Sequence, residues 1–118
     1  MKLTHAMLLL GCVSSFAYAA LPSSIKICDD GDEWPPFSYY QRDDGTKTKQ
    51  VVGYSVDYIQ SILDKQKVAF SLELLPWKRC LADVKEGARA MLLSASRTPE
   101  REKDYLISKP YYAMTGIY

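Results

Sequence analysis

The stretch Met91-Leu92-Leu93-Ser94-Ala95-Ser96-Arg97-Thr98-Pro99-Glu100-Arg101 changes structure twice within eleven residues. Its apolar side chains open a short buried strand, Met91 to Ala95, that empties into a turn of small residues. Thr98 then has the side chain of a helix N-cap, Pro99 suits the first helical position, and Glu100 supports the positive end of the helix. Ser94 and Ser96 hydroxyls, free backbone N–H groups and the Arg101 fork would all be donors to a small carboxylate. The same residues also describe an ordinary strand-to-helix turn with a surface arginine.

Upstream, Ser24 to Cys28 reads as a strand with Ile25 and Ile27 on one face. A polar turn, Asp29-Asp30-Gly31-Asp32-Glu33, follows, and then Trp34-Pro35-Pro36-Phe37, where two prolines forbid regular structure. Phe37 to Tyr40 and Val51-Val52 fit a hairpin around Asp43-Asp44-Gly45. Gly53 opens a helix with Val56, Ile59, Ile62 and Leu63 at helical spacing. Val68 to Leu75 alternates as a strand that Pro76-Trp77 closes. A short helix carrying Cys80, Leu81 and Val84 ends at Gly87. Tyr105 to Ile107 and Tyr112 to Tyr118 have strand-like composition.

Strand, helix, strand, helix, strand predicts an α/β fold with two crossovers and a mostly parallel sheet. Ligands on such sheets gather beyond the carboxyl ends of the strands. The Asp30–Trp34, Pro76-Trp77 and Ser94–Arg101 turns all fall on that rim.

The ends and the composition narrow the chemistry. Lys2, an apolar stretch from Ala6 through Val13 and the small-x-small site Ala17-Tyr18-Ala19 predict an export signal over residues 1–19, cleaved so that the mature chain begins near Ala20. Leu9-Leu10-Gly11-Cys12 also resembles a lipobox, but Cys12 lies very near the start, and simple secretion is the reading adopted. Cleavage removes His5, the one histidine, with Cys12 and Lys2. The remainder has no Ser-His or Cys-His couple, and no metal or cofactor is expected. The 15 basic residues fall to 14 against 14 acidic ones, which does not suit a nucleic-acid binder. Cys28 and Cys80, in a compartment that permits disulfides, read as one bridge, with two buried thiols as the alternative.

The order of these motifs resembles the first lobe of a family 3 extracytoplasmic solute-binding protein, a periplasmic receptor that delivers polar amino acids to ABC transporters. The resemblance runs from about Ile25 to the end. It rests on Trp34-Pro35-Pro36-Phe37, on Val52-Gly53-Tyr54-Ser55-Val56-Asp57, on Pro76-Trp77, and on Ser94–Arg101 followed by Pro110-Tyr111-Tyr112. It implies a three-layer lobe over residues 20–118 with a small polar solute as ligand and a permease as partner. Trp34 and Trp77 would clamp the solute between two rings, Ser94 and Ser96 would donate to it, Arg101 would pair with its α-carboxylate, and Asp30 or Asp32 would meet its ammonium.

Two departures from the pattern stand out. Gly87-Ala88-Arg89-Ala90 lacks the acidic residue usual before the third strand, which puts local folding there in doubt. The family also continues into a second lobe, so the chain is expected to be a truncated receptor that binds weakly or not at all.

Blander readings exist for most of these residues. Trp34 and Trp77 also suit a core, the Asp29–Glu33 acids and the Lys47–Lys49 region a solvated loop, and Tyr39-Tyr40 and Tyr111-Tyr112 edge-strand packing. The leading function is solute binding without chemistry. The alternatives are an enzyme on the same scaffold, a dehydratase or peptidoglycan lyase with Asp30 or Glu33 as acid–base group, and a non-functional remnant.

Overall fold

A computed structural model describes residues 19–114 of the chain. Except for Ala19, the expected export segment lies outside the described residues. The elements run β1 (Ser24–Asp30), β2 (Tyr39–Asp43), β3 (Thr46–Val52), α1 (Tyr54–Gln66), β4 (Ala69–Leu75), α2 (Trp77–Lys85), β5 (Met91–Leu92) and α3 (Pro99–Asp104). β1, β4 and β5 form a parallel sheet in the order β4-β1-β5, while β2 and β3 pair separately as an antiparallel hairpin. The α/β architecture with a parallel sheet is as the sequence pattern implies.

β1 occupies the centre because its side chains suit burial on both faces. Ile25 and Ile27 face α1, where Ile27, Leu63, Val68 and Leu93 form the core with Ile59, Phe70, Leu72 and Met91 packed around it. Cys28 faces the other way and is bridged to Cys80 of α2, with the two Cα atoms 5.8 Å apart. The bond spans 52 residues, which in the chain-entropy account stabilises the fold by about 4 kcal/mol. One helix thus packs on each face of the sheet.

Four expectations change at the level of elements. β1 runs to Asp30, two residues past Cys28, so Asp29 continues the alternation of Ile25 and Ile27 and is buried rather than solvated. β5 is two residues long, not five. Leu93 N–H still reaches Cys28 C=O, but Ser94 has φ 59° and turns the chain out of the extended conformation. Tyr105–Ile107 and Tyr112–Met114 are not strands, and residues 115–118 of the second expected strand lie outside the described residues; Tyr105 instead donates its hydroxyl to Leu81 C=O in the middle of α2. Lys47 is no idle surface cation, since it pairs with Glu33.

Arg89 anchors the chain before β5. Its guanidinium donates to Asp83 Oδ2 at 3.2 Å and to Ile27 C=O at 3.3 Å, and it pairs with Glu73. Arg79 and Arg89 together hold the Asp83 carboxyl below the usual range. With Arg89 anchored, Ala90 N–H reaches Lys26 C=O at 2.9 Å and β5 comes into register.

The start of α1 explains why the Pro-Pro-Phe and Val-Gly-Tyr motifs occur together. No side chain caps this helix. Tyr54 and Ser55 donate their N–H groups instead to the carbonyls of Pro36 and Phe37, both at 2.9 Å. Gly53 makes that approach possible: its φ of 128° belongs almost solely to glycine, and a Cβ there would lie 2.4 Å from Phe37 O. Gly45, in the hairpin turn at φ 81°, has open space around it. Gly53→Ala should therefore cost more than about 3 kcal/mol and Gly45→Ala about 1 kcal/mol in urea unfolding, the difference being the steric clash. Equal losses would show that the contact between the turn and the helix is not rigid.

Candidate functional site

Three turns meet at the carboxyl rim of the sheet. Thr98 caps α3 as its sequence suggests, its hydroxyl accepting Arg101 N–H at 3.3 Å, with Pro99 in the first turn. That cap sets the direction of the Arg101 side chain. Nη1 donates to Ser96 C=O at 2.8 Å and to Ser96 Oγ at 2.7 Å, while the guanidinium lies 5.4 Å from the centre of the Trp77 ring. Ser96, Trp77 and Arg101 are therefore brought together. Arg42, Arg79, Arg89 and Arg97 all pair with carboxylates; among the described residues Arg101 alone of the five arginines does not. Its charge is oriented by neutral groups and left uncompensated.

Trp34 is placed differently. It follows the turn after β1, 48% exposed, and its N–H donates to Ser38 C=O at 2.7 Å. Its side borders a cavity of about 510 Å³ lined also by Ser94, Ser96, Tyr111 and Tyr112. Arg101 borders a larger and more apolar cavity of about 720 Å³, with Ile59, Ile62, Met91 and Leu106. Ser94, Ala95 and residues 107–109 and 111 line both. Trp34 and Arg101 thus sit on two sides of a shared wall, linked through Ser96. The expected clamp of equivalent tryptophans is not what forms: Trp34 stands open, whereas Trp77 is engaged by Arg101 and lines neither cavity.

Behind this wall lies a polar cluster centred on Asp29. The Asp29 carboxylate accepts hydroxyl protons from Ser38 at 2.6 Å and Ser94 at 2.9 Å. Burial pushes its carboxyl above the usual range, opposed by the Ser38, Asp30 and Ser94 hydrogen bonds. Ser94, expected to donate to a solute, gives its hydroxyl proton to Asp29 instead. Tyr111 and Tyr112, expected as edge-strand packing, close the site. Tyr111 stacks on Tyr58 with ring centres 5.0 Å apart, and Tyr112 on Phe37 at 4.2 Å.

Residues 25–118 match the bacterial extracellular solute-binding proteins, family 3. The chain belongs to that family. No curated protein matches it. Among solved structures, an amino acid ABC transporter substrate-binding protein of Streptococcus pneumoniae bound to L-arginine is 27% identical, with a TM-score of 0.63 over 76% of this chain and 37% of that one. An ancestral cyclohexadienyl dehydratase is 25% identical, with a TM-score of 0.63 over 76% and 35%. An ancestral arginine-binding protein bound to arginine, 20% identical, shares the fold at a TM-score of 0.66 over 77% and 38%. The chain spans less than two-fifths of the length of each of these structures.

The acids considered for proton transfer, Asp30 and Glu33, take part in shaping the turn after β1. Asp30 Oδ1 accepts Asp32 N–H at 3.1 Å and so shapes its own turn. Glu33, at φ 60°, ties that turn to the hairpin: it pairs with Lys47, and its Oε2 takes Arg42 Nη1 at 3.1 Å and Tyr40 N–H at 3.2 Å. Lys47 foremost, with Arg42 and Tyr40, lowers the Glu33 carboxyl to about 2. A group so strongly ionised is a poor general acid.

The sign of the pH effect follows from a carboxyl that is lower in the folded chain. Its contribution is complete above the ordinary glutamate range near 4.5 and is lost as pH falls toward 2. An NMR titration of the Glu33 side chain should find a midpoint near 2, and Lys47→Ala should move it upward. A midpoint near 4.5 in the unaltered protein would show that the tie does not exist in solution.

Proposed function

We propose that this chain forms one wall of an exported receptor for a small carboxylate-bearing solute, an amino acid or a close analogue, with Arg101 as the carboxylate's partner. What carries the reading is the uncompensated guanidinium at the rim of a sheet where this family binds solutes. Nη1 is spent on Ser96, so Nε and Nη2 are the donors through which a carboxylate would be held. The Trp34 ring, half exposed across Ser96, suits stacking on a solute's aliphatic stem or its cation. Asp30, with Oδ2 outside its own turn, is the proposed partner of an ammonium group.

The function is recognition without a chemical step. The disulfide fits an oxidising compartment, in keeping with a signal cleaved near Ala19, a periplasmic location and delivery to an ABC transporter permease. No helix among the described residues is long and apolar enough to cross a membrane. The opposite wall of the site would come from a second lobe closing over the first. One wall buries little of a solute and completes few of its hydrogen bonds, so this chain by itself should bind amino acids no tighter than about millimolar.

NMR titration with L-arginine and with agmatine, which keeps the side chain but lacks the carboxylate, tests the assignment. The Arg101 side-chain signals should respond to L-arginine only, and Arg101→Lys should weaken binding about tenfold by losing the planar fork. Equal responses to the two compounds would overturn the carboxylate assignment, and micromolar binding would overturn the need for a second wall.

A further inference from the structure

The group that orders the rim lines neither cavity. Asp29 is 1% exposed, and its carboxylate receives three protons. Oδ1 accepts Asp30 N–H at 2.9 Å, and Oδ2 accepts the hydroxyls of Ser38 and Ser94. An ionised carboxylate accepts and cannot donate, and this fixes the direction of every bond behind it.

Ser94 has one hydroxyl proton and gives it to Asp29, so Ser55 is the donor in the 3.4 Å contact between the two serine hydroxyls. Ser55 then has no proton for Tyr111, and Tyr111 donates to Ser55 Oγ at 3.1 Å. The Tyr111 oxygen, its own proton committed, accepts Ser94 N–H at 3.1 Å. The bonds form a circuit from the Ser94 amide through Tyr111 and Ser55 to the Ser94 hydroxyl, with its outlet at Asp29. No proton in it is unused, and none can point the other way while Asp29 is charged.

We propose that Asp29 is a positioning residue of the solute site: by ending this one-way circuit it holds Ser94 in its left-handed conformation and fixes Tyr111, and so shapes the wall between the two cavities. The proposal rests on the solute-site reading above. Two features show that the circuit has something to hold. Ser94 is at φ 59°, a region serine disfavours, and it lies two residues past the end of β5, where the wall begins. Tyr111 lies in a segment without secondary structure, placed by ring stacking and by this hydroxyl. Ser38 provides the contrast, being bonded to the same carboxylate oxygen yet outside the circuit.

Amide hydrogen exchange on the whole chain separates this role from general stability. Asp29→Asn places an N–H donor where two hydroxyls now donate, which removes the acceptor of the Ser94 hydroxyl and lets the hydroxyl links of the circuit turn round. Exchange at the Ser94 amide should then accelerate at least about tenfold relative to that of Ile27 at the sheet centre. Ser38→Ala should leave that ratio unchanged. If Asp29→Asn does not fold, Ser94→Ala cuts the same bond from the other side and decides the matter through the amide at position 94. Exchange there that merely follows Ile27 would overturn the proposal.

Titration with L-arginine supplies the functional arm. Asp29→Asn or Ser94→Ala should weaken its binding about tenfold and Ser38→Ala should not; a loosened wall with unchanged affinity would overturn the positioning role. If L-arginine does not bind even the unaltered protein, the solute reading is what fails, and the exchange comparison still judges Asp29.

Discussion

Three consecutive residues of β1, Ile27, Cys28 and Asp29, are each at most 1% exposed, and each fastens a different part of the molecule to the same strand. Ile27 packs into the core under α1, Cys28 is covalently joined to α2, and Asp29 receives the hydroxyls of the turn after β1 and the loop after β5. Such complete burial on both faces is possible only for a central strand. It requires that every polar group on that strand find a partner, because an unsatisfied buried group costs about 1–3 kcal/mol. No buried side-chain nitrogen or oxygen among the described residues lacks one. The order β4-β1-β5 and the position of the site are thus two consequences of one constraint.

The parts of the fold legible in the sequence are those set by local chemistry. The Val56, Ile59, Ile62 and Leu63 spacing marks α1, Asp44-Gly45 takes the two positive φ angles of a hairpin turn, and Thr98-Pro99 starts α3 as its residue types require. The Cys28–Cys80 pairing was legible from compartment and count. What escaped depends on residues distant in sequence. β5 stops early because Ser94 is turned by Asp29 and Tyr111, 65 and 17 residues away. Arg89 anchors the entry to β5 through Glu73, Asp83 and a carbonyl of β1, and no local pattern announces that.

Asp29 is the instructive miss, because its signal was present. Ile25, Ile27 and Asp29 share one face of a strand, so extending the alternation by one step would have put a carboxylate in the core. It was read with Asp30, Asp32 and Glu33 as a run of solvated acids. Composition grouped the four together, whereas the period of two separates the first from the rest. For the site, the sequence placed the turns that carry Ser96, Trp77 and Arg101 on one rim, but not that Arg101 packs on Trp77 and bonds Ser96, nor that Trp34 stands across Ser96 from Arg101.

The way Arg101 is held bears on how a site of this kind gains affinity. An arginine already paired with a protein carboxylate offers a solute carboxylate only an exchange of like for like. Arg101 is oriented instead by a carbonyl, a hydroxyl and an aromatic ring, none of which carries a negative charge. The neutral partners thus fix the direction of the fork without consuming its charge, and an incoming carboxylate adds a charge-assisted bond without breaking an ion pair. The four remaining arginines, each locked to an acid, stabilise the scaffold and contribute little field at the rim. Selectivity for an anion then requires no net positive charge on the chain, only one guanidinium kept apart from the acids that surround the others.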